Sequence, residues 1–133
     1  MLKLALALML IPSSAEIVSE QVEILIATPD SSWTADHDRK SDVFRGYTLH
    51  DWTECLYKIR SDFLNHTGLV YEKAEAVLNY CQSHEARYAA LTSLTFRSST
   101  SPDARTKFSK ELTLAIRGQF DRDLVSYFAD YLP

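Results

Sequence analysis

Glycine occurs at only three positions, Gly46, Gly68 and Gly118, and proline at four, in a chain of 133 residues. So few breakers favour a mostly helical chain. They also leave no Gly-rich phosphate loop and no glycine-flanked serine elbow, which removes the commonest nucleotide cradles and hydrolase motifs. Basic residues number 14 against 18 acidic ones, a formal charge of −4. Nucleic-acid binding needs a clustered basic face that this balance does not supply. No apolar run approaches the roughly 20 residues that span a bilayer as a helix. Cysteine is limited to Cys55 and Cys81, with no Cys-x-x-Cys, and two thiols make at most half a zinc site. A charged share of 24% is ordinary for a globular chain, and the length suits one small domain.

What is present begins with a secretory pattern. Lys3 gives a positive start, Leu4 to Ile11 an apolar core, and Pro12-Ser13-Ser14-Ala15 a small-residue cleavage site. Residues 1–15 are therefore expected to be a signal peptide, with export and cleavage near Ala15. Glu16 to Ala27 fits two patterns. Val22, Ile24 and Ile26 alternate as a strand would, while Ile17, Val18, Val22 and Leu25 fit a helical face. No second strand is available to pair with it, so a helix or an ordered arm laid on the rest is expected. Thr28 to Gly46, rich in Asp, Ser and Thr around a lone Trp33, reads as a polar surface loop with at most a helical turn near Val43-Phe44-Arg45. Residues 16–47 thus form an irregular N-terminal arm, and 48–133 a helical domain.

Thr48 is the expected cap of the first long helix, with Asp51 as its capping-box partner. Leu49, Trp52, Leu56, Ile59 and Phe63 form the apolar stripe, with Cys55 on its edge. Gly68 ends this hairpin arm, and the second helix carries Val70, Ala74, Val77, Leu78, Cys81 and Tyr88. Ser101-Pro102-Asp103 is a helix start, and Phe108, Leu112, Ala115 and Ile116 give a third stripe. Phe120, Leu124, Tyr127, Phe128 and Tyr131 give a fourth, rotated by roughly 120° from the third at about 100° per residue. A break at Gly118 would let both stripes be buried. The expected fold is all-α, a small disulfide-stapled bundle of about four helices.

The two cysteines stand equally far on either side of Gly68, so a chain folded back there brings them level. An even pair, inward-facing and in an exported chain, is read as a disulfide; two buried free thiols or a redox pair are the alternatives. Trp52-Thr53-Glu54-Cys55, followed by a helix ending Ala76-Val77-Leu78-Asn79-Tyr80-Cys81, resembles small exported bacterial proteins with one cysteine on each arm of a helical hairpin. The resemblance covers residues 52–81. It implies a periplasmic location and the same disulfide, and carries no activity.

Other chemistry is thin. His84-Glu85-Ala86-Arg87-Tyr88 lacks the second histidine of the zinc-protease helix. Asp36-His37-Asp38 clusters possible ligands in a row, without calcium-loop spacing. His50 and His66 lie at opposite ends of the first helix. Asn65-His66-Thr67 is a glycosylation sequon, silent in a bacterial periplasm. Arg117, Asp121, Arg122 and Asp123 read as surface ion pairing. Tyr127, Phe128 and Tyr131 either complete the core or form an interface. The expectation is an exported binding protein with no cofactor and no metal, its partner a protein or a small apolar ligand. A metal-dependent or hydrolytic enzyme using Asp36-His37-Asp38 is the second reading, and a structural envelope component that self-associates the third.

Overall fold

The computed structural model describes residues 14–95, 97 and 100–132; the expected apolar core of the export signal, Leu4 to Ile11, lies outside them. The described residues are all-helical. Five helices follow one another: α1 (Ser14–Ala27), α2 (Ala35–Ile59), α3 (Val70–Tyr80), α4 (Gln82–Ser93) and α5 (Pro102–Ala129). Short 3-10 turns occupy Asp30–Ser32 and Arg60–Phe63. None of these helices is long and apolar enough to cross a membrane.

The expected polar loop is not a loop. Its second half is the beginning of α2, which runs on through Gly46. Thr34, not Thr48, caps this helix, and its backbone N–H donates to His37 Nδ1 at 3.0 Å, so histidine fills the place that glutamate holds in the usual capping box. Asp36 pairs with Arg39 and Lys40, and Asp42 with Arg45, at helical spacing on the outer side. The inner side carries Ser41 and Thr48, both wholly buried. That buried face is polar and small, so an apolar periodicity could not reveal it.

The same reason explains α5. It does not break at Gly118 but continues as one helix of 28 residues. Its buried line is Arg105, Ser109, Thr113, Leu124 and Phe128, polar in the first half and apolar in the second. Of the apolar stripe expected there, Leu112 and Ile116 pack half-buried against the core, while Phe108, 44% exposed, and Ala115 face outward. A Cβ at Gly118 would meet only Arg122 Nη1 at 3.7 Å, ordinary contact. Gly118→Ala is therefore expected to stabilise the protein by about 0.5–1 kcal/mol, the helix-propensity gain of alanine. An equilibrium urea titration checks this, and a loss of stability would mean that the helix bends there.

The second expected helix is in fact two. α3 ends at Tyr80, Cys81 forms the elbow between them, and α4 begins at Gln82. The elbow changes which helices meet: α2 packs chiefly along α4, while α5 lies across both α3 and α4. Gly68 takes φ +125° in the connection before α3, a conformation that L side chains rarely adopt.

Two apolar clusters result. The larger holds Trp52, Leu56, Ala74, Val77, Leu78, Cys81, Tyr88, Leu124 and Phe128. Trp52 sits among three helices, its ring edge-on to Phe120 at 4.9 Å between centroids and 6.0 Å from Tyr88. The smaller holds Val22 and Leu25 of α1 with Trp33, Leu91 and Leu94. α1 is thus a helix laid on the bundle, the helical alternative for that segment. Between these clusters α5 meets α4 through a hydroxyl, Ser109 Oγ donating to the Ala89 carbonyl at 2.5 Å, while Thr92 Oγ1 donates within α4 to the Tyr88 carbonyl at 2.8 Å.

Candidate functional site

The two cysteines are joined. The Cys55–Cys81 bridge spans 6.0 Å between Cα atoms and ties the last turns of α2 to the elbow between α3 and α4. Cys81 is fully buried. Beyond Cys55 the chain passes through Tyr57 to Arg60, where α2 tightens into the 3-10 turn.

Arg60 lies between two tyrosines. Its guanidinium carbon is 4.5 Å from the Tyr57 ring centroid and 4.1 Å from that of Tyr127 on α5. A cation held against two aromatic faces is attracted by both ring quadrupoles. Arg60 forms no ion pair among the described residues, so its N–H edge is left to solvent or to a partner. Tyr127 packs in turn against Tyr131 at 5.1 Å and Phe128 at 5.2 Å. Loss of hydration raises the Tyr127 hydroxyl pKa, Tyr131 adds to the effect, and Arg60 opposes it. Of the three expected interface residues, Phe128 belongs to the core, only 2% exposed, because the α5 face that bears it turns inward toward Leu124. Tyr131 is 62% exposed and Tyr127 lies between these extremes.

Beside the sandwich is a hollow lined by Thr53, Leu56, Tyr57, Arg60, Phe120 and Asp123 with Leu124. It holds about 20 Å³ of water-accessible space, room for roughly one water molecule. The face therefore offers a surface and not a ligand chamber. Tyr57 and Arg60 escaped the sequence reading because their meeting with Tyr127 is tertiary. The one local sign was a tyrosine three residues before an arginine at a helix end.

The remaining candidates are dispersed. His37 stacks on Trp33 at 5.1 Å, Asp38 accepts the Trp33 indole N–H at 2.7 Å, and Asp36 is held by Arg39 and Lys40. Among the described residues no three His, Cys, Asp or Glu side chains are grouped to hold a metal ion. Arg117 leaves its neighbours Asp121 and Asp123 and crosses to Glu75 of α3, at 2.9 Å, and Glu85 of α4. Burial works against its charge, but the two glutamates outweigh that and raise its pKa. His84 has a buried Nδ1 with no partner, and burial, with Arg87 nearby, keeps its pKa below the usual histidine value. His50 is exposed, as are Asn65, His66 and Thr67 of the sequon.

Fold and bridge together define a class, the small all-α bundle stapled by one disulfide. Comparison with known proteins gives no matching family model, curated sequence or solved structure.

Proposed function

We propose that this chain is a small exported binding protein that docks a partner protein through the tyrosine face around Arg60. The observation that carries the reading is Arg60 pinned between the exposed Tyr57 ring and the half-buried Tyr127 ring, with no ion-pair partner among the described residues. Tyrosine and arginine are the side chains that concentrate binding energy at protein interfaces, and an ordered guanidinium loses little further freedom on docking. The surrounding surface is consistent with this. Tyr57, and Tyr131 packed on Tyr127, are each more than half exposed. Export, the signal at residues 1–15 and an oxidising compartment belong to the same proposal, which the disulfide supports.

The test is native mass spectrometry of tagged protein recovered from the exported fraction of its source cells. Wild type and a Tyr47→Ala control should carry the same defined partner, and Tyr57→Ala/Tyr131→Ala should lose it with unchanged thermal stability. A bare monomer in every sample, or a partner kept by the double variant, would sink the assignment. Self-association of the pure chain would transfer it to a structural component.

A further inference from the structure

A second constellation shares no residue with the tyrosine face. Asp30 receives the Arg97 Nε–H, and Arg97 also lies over the Trp33 ring, 4.9 Å from its centroid. Arg97 Nη1 is buried and has no hydrogen-bond partner. Arg105, whose side chain is 9% exposed, donates from Nη1 to the carbonyls of Thr100, at 2.6 Å, and Arg97, at 3.2 Å. Its Nη2 lies 4.0 Å from the same Asp30 Oδ1 that accepts from Arg97. Arg45 arrives from α2, donating to Thr95 Oγ1 at 3.1 Å and pairing with Asp42 at 3.3 Å.

The charges do not balance. Arg45, Arg97 and Arg105 face Asp30 and Asp42, and both carboxylates are more than half exposed while Arg97 and Arg105 are nearly buried. A buried guanidinium edge without an acceptor is costly, and an excess buried positive charge more so. One additional anion would cancel both. The positive end of α5, capped by Ser101, lies beside Arg105 and adds to the field. Beside Arg105 lies an open hollow of about 280 Å³, lined also by Thr95, Thr100, Ala104 and Phe108.

We propose that this corner binds a small oxyanion group, free or as an ester, between the guanidinium groups of Arg97 and Arg105. Guanidinium forks match such groups by paired, charge-assisted hydrogen bonds. Asp30 then acts as a resident competitor, occupying the Nε–H of Arg97 that a ligand could use.

Isothermal titration of the full chain with inorganic phosphate, against chloride at matched ionic strength, tests this. Wild type should take up one phosphate per chain, and Arg97→Gln should take up none. Asp30→Asn should bind about tenfold more tightly, since a competing carboxylate is gone. Its melting temperature, lowered by the lost ion pair, should be restored by phosphate and not by chloride. Phenyl phosphate bound at least tenfold more tightly than phosphate would make the natural ligand an ester seated against Phe108; equal affinities would make it the free ion. No phosphate uptake by either wild type or Asp30→Asn, or weaker uptake by Asp30→Asn than by wild type, would overturn the site and leave the cluster purely structural.

Discussion

Reducing the Cys55–Cys81 bridge is expected to cost about 3–4 kcal/mol of folding stability, the loop-closure entropy returned to an unfolded chain by a cross-link of this span. The bridged residues are 26 apart in sequence. For a domain of this size that is roughly a third of the whole stability. The position of the bridge argues for the full effect, because Cys81 is the elbow between α3 and α4 and every element packed on those helices depends on it. The check is urea unfolding with and without reductant, paired with a Cys55→Ser/Cys81→Ala variant. Coincident midpoints would show that packing alone sets the elbow. A variant that unfolds much more easily than the reduced wild type would instead locate part of the loss in the native packing of Cys81.

Trp52→Ala should be the most damaging single truncation, at about 3–5 kcal/mol. Trp52 is wholly buried, and its ring touches α4 and α5 through Tyr88 and Phe120. Removing it opens a cavity where three helices meet, and rigid helices close such a space only in part. Trp52→Phe is informative beside it. The indole Nε1 has no hydrogen-bond partner, so phenylalanine gives up volume without breaking a polar contact, and a loss of about 1–2 kcal/mol is expected. Denaturant midpoints of the two variants measure both. A Trp52→Ala loss below that of Trp52→Phe would contradict the placement of the ring at the junction.

Much of the fold was legible where the buried faces are apolar. The stripe through Trp52 and Leu56, the face through Ala74, Val77 and Leu78, and the start at Ser101-Pro102 all stand as read. The cysteine pairing was legible too, though by a simpler route than the molecule takes. The expected hairpin sets α2 against α3, whereas α2 lies mainly along α4 and meets Cys81 at the elbow. The reading failed where burial is polar. Ser41 and Thr48 in α2, and Arg105, Ser109 and Thr113 in α5, are buried by helix contacts that small or hydrogen-bonded side chains allow. Such residues look like loop or surface in a hydrophobic pattern, which therefore predicts a loop at the start of α2 and two helices in place of α5. Gly46 and Gly118 reinforced both errors, since each costs a helix about 1 kcal/mol that long-range packing easily overrides.

By itself, the sequence determined the helical class, the core residues of the apolar half and the partner of each cysteine, because these follow from local periodicity, scarce breakers and parity. Only the tertiary structure decided the elbow at Cys81, the inward turn of Phe128, the pinning of Arg60 between Tyr57 and Tyr127, and the gathering of Arg45, Arg97 and Arg105 around two carboxylates. Each of those joins residues from separate helices. Their meeting depends on which faces pack together, and a pattern written along one helix does not contain that choice.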